Sequence, residues 1–163
     1  MKDRLKHISI DDHYRFPHIK HIGNACFGKN YKGWQRATMN VHGDKCPNYP
    51  WFPKLAIMEN GVDTAQDKVY GLINTINADG TIIKERRNGD PNVSDEYEDC
   101  IRYVFVKPAG QPYRYAGNFK KDNSASNGQI SVFYRVSTEL DLSEWCDEPL
   151  NRDTPVEYYQ EGE

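Results

Sequence analysis

The sequence predicts an α+β fold that is mostly β: a single strongly curved mixed sheet or small barrel with one or two short helices. Three observations predict it. The ordered-looking runs are short and dominated by Tyr, Val, Ile, Thr and Phe; Gly, Asn, Asp and Pro punctuate them at short intervals; helical signals are few. A chain of 163 residues, 37% apolar and 28% charged, is long enough for one domain with a sizeable core.

The elements follow in order. "WQRATMNV" (34–41) and "WFPKLAIM" (51–58) read as early strands, the second with a proline that suits an edge or a strand start. "KVYGLINTI", "NADG" and "TIIKERR" read as a hairpin whose turn is Asn77-Ala78-Asp79-Gly80. The acidic, turn-rich stretch 88–100 is an exposed loop. In "YVFVKPAGQPYRYAGNFK" (103–120) a strand apolar on nearly both faces, with Tyr103 and Phe105 in the core, leads into a second strand. There Tyr113, Tyr115 and Phe119 alternate with Arg114 and Asn118, and Gly117 marks a bulge or a close approach. A flexible loop (120–128) precedes the strand 129–137, whose face of Ile130, Val132, Tyr134 and Val136 is expected inside. "STELDLSEW" (137–145) reads as a helix capped by Ser137 or Thr138, and a second short helix is expected around 63–68. The organisation expected is one domain over 1–163. It comprises a basic, His-rich, solvated segment over 1–22, a β core over 34–142 and an acidic tail over 147–163.

Charge and motif content exclude several chemistries. No run of 18 apolar residues exists and the N-terminus has no apolar signal region, so a cytoplasmic protein without a membrane span is expected. The four cysteines, at 26, 46, 100 and 146, are too scattered for a zinc site; His42 and Cys46 could chelate, but reduced, largely buried thiols are the expected state. His7, His13, His18 and His21 crowd the N-terminus without metal-ligand spacing. "GNACFGKN" lacks the Ser or Thr of a phosphate loop, and neither a dinucleotide fingerprint nor a nucleophile elbow occurs. No cofactor, metal site or catalytic residue is assigned.

What remains is binding chemistry. The net charge of −3 hides an asymmetry: residues 1–54 carry ten Lys/Arg against four Asp/Glu, residues 100–136 six against one, and residues 137–163 one against nine. Local field matters more than the sum, so an anionic ligand suits the chain. The acidic tail keeps it soluble; covering the basic surface when no ligand is present is the alternative. Aromatic residues sit beside cations or amides in "YKGWQR", "YPWFPK", "RYVFVK" and "PYRYAGNFKK". Exposed rings stack bases while neighbouring Lys and Arg hold phosphates, and a pocket for one extruded base uses the same ingredients.

In "WFPKLAI", "INTINADGTIIKERR", "YVFVKPAGQPYRYAGNF" and "VFYRVSTELDL" the order of motifs resembles small domains attached to restriction and other DNA-defence proteins. The hairpin is also similar to the core of PUA-like β-barrels, the group that includes SRA-type readers of modified cytosine. The likeness covers roughly residues 34–142 and rests on hydrophobic hairpin patterns. It implies a curved barrel whose concave face reads a flipped or modified base, in DNA more than in RNA, with a nuclease or defence-system subunit as a conceivable partner. On the matching positions it implies Trp34, Trp51, Tyr113 and Tyr115 as stacking or pocket-lining rings and Asn118 as a polar reader. Arg36, Lys54, Lys107 and Arg114 are the implied phosphate contacts. Two other classes stay open: a metal-dependent nuclease or nucleotide hydrolase, and a phage- or defence-related protein-interaction module.

Overall fold

The structure, a computed structural model, describes residues 2–66, 71–87 and 99–162. Strands β1 (His7–Ser9) and β2 (Tyr14–Phe16) lead into helix α1 (Ile19–Cys26). Then come β3 (Tyr49–Trp51), β4 (Ile57–Glu59), β5 (Val62–Thr64), β6 (Leu72–Ile76), β7 (Ile82–Arg87), β8 (Ile101–Val106), β9 (Tyr113–Lys121) and β10 (Ile130–Ser137). The chain closes with β11 (Glu139–Asp141), α2 (Ser143–Cys146) and β12 (Tyr159–Gln160).

The main sheet is mixed, as expected. Antiparallel β6–β7–β10–β9 continues through β2 to β12, while β8 pairs with β9 on its other edge and β3 lies parallel to β8. The ladders alone do not close a barrel, but residues 54–56 cross the gap. Leu55 N donates to Lys107 O at 2.9 Å and Ala56 N to Asn74 O at 2.7 Å, so this segment touches both β8's end and β6. Between β6 and β7, Asn77 Oδ1 accepts from the backbone of Thr81 and Ile82 and Gly80 takes φ +73°, which is the expected turn.

The bulge at Gly117 organises the rest. Val104 faces Gly117 and Phe105 faces Tyr115, leaving Ala116 as the extra residue. One extra residue reverses the alternation. Asn118 therefore shares a face with Tyr113 and Tyr115, and Phe119 moves to the opposite face, contrary to a simple period of two. Gly117 sits at φ +113°, and a Cβ there would meet Arg135 Cδ at 2.5 Å and Ser137 O at 2.8 Å. Only glycine fits.

Two apolar clusters flank this sheet. One holds Tyr103, Phe105, Tyr113 and Tyr115 against Phe16, Ile22, Phe27, Phe52 and Trp145. The other, inside the curve, holds Trp51, Ile83, Val104, Val106, Phe119 and Phe133. On β10 it is Phe133 that is buried, while Tyr134 and Val136 are exposed. The sequence's inward face was therefore the outward one, because Phe133 fills the curve opposite Ile83 and decides the register.

Four further elements depart from expectation. Residues 34–41 form no strand; a bridge from Thr38 to Trp51 and hydrogen bonds from Phe52 N to Ala37 O and from Trp145 Nε1 to Val41 O tie this mostly exposed stretch down. The run 51–58 breaks at Pro53, which offers no amide hydrogen. In 137–145 only the end is helical: Glu139–Asp141 pairs with β1, and Asp141 Oδ1, not Ser137 or Thr138, accepts from Ser143 N at 2.8 Å. Val62–Thr64 is a strand, not part of a helix at 63–68, whose last residues fall outside the described ones; most of the 88–100 loop does too.

The N-terminal segment is structured as well. Ile22, Ala25 and Cys26 of α1 are buried, and a Cβ on Gly23 would strike Tyr31 and Met39 at 2.9 Å. Buried Arg4 acts as a staple: its guanidinium donates to Asn24 O, Lys29 O, Glu148 O and Pro149 O at 2.7–2.9 Å. Desolvation holds it below the usual arginine range, opposed by Glu148. The acidic tail is packed too, through buried Thr154 and Val156 and through β12 against β2.

Candidate functional site

The strands inside the curve carry an apolar plug with a polar row beside it. Ile76, Ile83 and Phe133 lie opposite one another across β6, β7 and β10. Two residues along each strand, and so on the same face, Asn74, Glu85 and Ser131 form the next row. Leu55, which packs on the plug, bridges to Asn74 from the other side. Asn74 is 4% exposed, and its Oδ1 is fully buried without a hydrogen-bond partner. Buried carbonyls are nearly always satisfied, so an orphan marks a site where a donor is missing.

On β8 the same face carries Arg102. Its guanidinium carbon lies 5.3, 4.8 and 4.4 Å from the ring centres of Tyr49, Trp51 and Phe133, within cation–π range of all three. The beginnings of β3, β6, β8 and β10 and the ends of β7 and β9 gather at this end of the curve, with the connections between them. A cleft of about 570 Å³ opens beside Tyr49, lined by residues 38–40 and 43–49, among them Asn40, Asp44, Lys45 and Asn48. Asn74, Glu85, Ser131 and Arg102 thus share one face of the sheet, next to the cluster of Trp51 and Phe133.

The residues implied by the motifs are placed differently. Trp34 stands in solvent, 81% exposed, next to exposed Arg36 on the loop before Thr38. Trp51, Tyr113, Tyr115 and Asn118 are 4–6% exposed, so they are not an open ligand face. Trp51 belongs to the plug. Tyr113 and Tyr115 lie on the other side of the sheet, against Phe52 and Phe105. Burial pushes the Tyr113 hydroxyl up to about 12 and that of Tyr115 further still, with Cys26 adding and the Asn118 hydrogen bond opposing. Tyr115 OH donates to Asn118 Oδ1 at 2.7 Å, and Asn118 Nδ2 donates to Ser137 Oγ and Glu139 O, fixing the point where β10 leaves β9. Asn118 thus serves the fold, its polar atoms spent internally.

Lys54 and Lys107 are brought together as bridge partners, and Arg114 lies opposite Arg15. Of the four implied phosphate contacts these three lie near the end of β8 and the start of β9, Lys54 on the segment bridged to Lys107, away from the gathered loops. His42 is engaged elsewhere than with Cys46: its Nε2 lies 2.8 Å from Tyr103 OH and its Nδ1 3.5 Å from Glu144. Gly23–Cys26 of "GNACFGKN" is the last turn of α1, the wrong end of a helix for an anion. Among the described residues no group of three His, Cys, Asp or Glu is placed to hold a metal, and no described helix is long and apolar enough to cross a membrane. Asn74, Glu85 and Arg102 were missed by sequence reasoning. The signal was there: in "LINTI" the asparagine interrupts the face of Leu72 and Ile76.

Comparison with known proteins accounts for this architecture. A family model, the SET and RING associated (SRA) domain, matches residues 3–142. Among solved structures the chain is similar to the 5-hydroxymethylcytosine-specific restriction enzyme AbaSI, with 27% identity and a TM-score of 0.61 over 84% of this chain. It spans 42% of that enzyme's chain. No curated protein matches. A curved mixed sheet and a family match over most of its length agree: the chain belongs to the SRA domain family, and is a DNA-binding reader of a modified base.

Proposed function

We propose that the face of the sheet carrying Asn74 reads a 5-modified cytosine turned out of duplex DNA. The unpartnered Asn74 Oδ1 carries this reading. A buried acceptor without a donor costs about 1–3 kcal/mol, which is recovered when a donor arrives. The Watson–Crick edge of cytosine presents such a donor in its exocyclic amine, which amide and carboxylate oxygens accept. Asn74 and, beside it, Glu85 supply those acceptors; Tyr49 supplies a ring at the entrance. Because the similar enzyme AbaSI is 5-hydroxymethylcytosine-specific, we assign 5-hydroxymethylcytosine as the base, with the Ser131 hydroxyl and Arg102 on the same face as the groups nearest its substituent. This chain spans less than half of that enzyme, and the role we assign it is recognition of the base.

The test is a fluorescence titration of short duplexes carrying cytosine, 5-methylcytosine or 5-hydroxymethylcytosine at one position, with 2-aminopurine beside it to report extrusion. Tightest binding and a rise in 2-aminopurine emission are expected for the hydroxymethylated duplex. Equal affinity for the three, with no change in emission, refutes the reading.

A further inference from the structure

Trp34 is out of keeping with the other tryptophans. Trp51 and Trp145 are buried, whereas Trp34 is 81% exposed, more than any other large apolar side chain among the described residues. The backbone on both sides of it is pinned. Buried Asn24 engages both polar groups of Tyr31: its Oδ1 accepts from Tyr31 N at 2.7 Å and its Nδ2 donates to Tyr31 O at 2.8 Å. On the other side Ala37 O accepts from Phe52 N at 2.9 Å, and Thr38 bridges antiparallel to Trp51. Residues 32–36 lie between these anchors, so Trp34 is carried at the middle of a short, tethered span.

The pairings say where that span lies. The segment 49–55 has two edges. Arg102–Val104 of β8 and then Lys107 take one of them; Thr38, at Trp51, and Asn74, at Leu55, share the other. Followed back from Thr38, an antiparallel run would bring Trp34 level with Leu55, a position β6 already fills through Asn74. The chain leaves the sheet there, and the ring is left in water beside the strand that carries Asn74. Cations stand two residues to either side of it: Lys32, with its Nζ 2.7 Å from Asp153 Oδ2, and exposed Arg36. Exposed Met58, on the β4–β5 hairpin, has Glu59 next to it instead, a charge that the field of a duplex repels.

We propose that Trp34 enters the duplex and fills the place that the target base leaves when it is turned out. Extrusion forfeits the stacking of the target on its neighbours. A flat ring inserted between those neighbours restores it from the protein side. Trp34 suits this task better than a place in a pocket wall, because a wall ring is already half-covered in the free protein and this one is not. The tether fixes where the ring stands, so little freedom is lost on insertion. This inference rests on extrusion of a base, and neither on Asn74 as its reader nor on which substituent it carries.

The experiment measures affinity by fluorescence anisotropy for the parent chain, Trp34→Ala, Trp34→Phe and Met58→Ala on two duplexes bearing 5-hydroxymethylcytosine. In one the target faces guanine. In the other it faces a pyrene nucleotide, whose ring fills the helix in advance and leaves no gap. On the guanine duplex Trp34→Ala is expected to lose about five- to 150-fold in affinity, the worth of one base–aromatic stack, and Trp34→Phe to recover most of it. On the pyrene duplex Trp34→Ala is expected to bind as tightly as the parent, and Met58→Ala to match the parent on both. The ring is exposed, so these variants are expected to fold, which thermal unfolding checks. Equal binding of parent and Trp34→Ala to the guanine duplex overturns the proposal. So does a loss that pyrene does not restore, because the ring then stacks on the extruded base or touches the duplex from outside. A failure of the Asn74 reading shows separately: Asn74→Leu keeps the base preference while rescue by pyrene persists.

Discussion

Replacing Asn74 by leucine separates what this residue does for the fold from what it does for a ligand. The two side chains branch at the same atom, and the backbone carbonyl that Ala56 N uses is untouched. The leucine removes a buried oxygen with no partner, which relieves about 1–3 kcal/mol. It also adds apolar contact to Leu55 and the plug. For a chain of this size each kcal/mol moves Tm by about 2–4 °C, so thermal unfolding is expected to shift upward by about 2–12 °C. The same change removes one reading contact, worth about 1–3 kcal/mol of discrimination, or roughly five- to 150-fold in relative affinity. The assay is a pair: scanning calorimetry, and competition between hydroxymethylated and unmodified duplexes. A lower Tm with base preference intact would refute the reasoning, because Asn74 would then be a structural residue whose oxygen has a partner in solution.

Three other changes have defined outcomes. Trp34→Ala removes an exposed ring, so Tm is expected to stay within about 1 °C; if the ring stacks on a base, affinity for DNA falls by about 1–3 kcal/mol in a titration. Gly117→Ala forces a side chain into a positive-φ position against Arg135 and the Ser137 carbonyl, which is expected to cost at least about 2 kcal/mol in a urea unfolding curve. His21 is buried, and its Nδ1 accepts from Glu157 N at 3.2 Å; burial lowers its pKa, with the Pro155 backbone and Glu157 pulling the other way. A folded-state pKa below the unfolded value of about 6.5 means that its stabilisation is present above that pH and is lost as pH falls through the folded value. Tm is expected to drop between about pH 7.5 and pH 5, and the drop shrinks in His21→Gln.

The central hairpin was legible because its signals are local: β-branched and aromatic runs for β8, β9 and β10, Asn77 and Gly80 for a turn, Gly117 for a bulge. What the bulge does to alternation is not local, and that is why Asn118 and Phe119 changed faces. Helix α1 was hidden for a different reason. His18 precedes it without a capping side chain, and Gly23 lies in its middle, where helix propensity is poor but close packing on Tyr31 requires it. The burial of Tyr113 and Tyr115 was not legible, because a tyrosine beside an arginine looks the same whether it faces water or Phe105. Only the tertiary pairing tells them apart. Asn74 was legible in principle, as one polar residue on an apolar face, but a lone asparagine in a strand gains meaning only once its oxygen is known to lack a donor.

The Arg4 staple joins the first residues to the Glu148–Pro149 turn, Lys2 Nζ reaches Tyr158 O, and β12 lies on β2, so both chain ends emerge at one corner of the molecule. A catalytic unit joined ahead of this domain and one joined behind it would hang from nearly the same point. Order along a fused polypeptide then matters little to geometry, which makes a domain of this build easy to recombine with cutters of unrelated design.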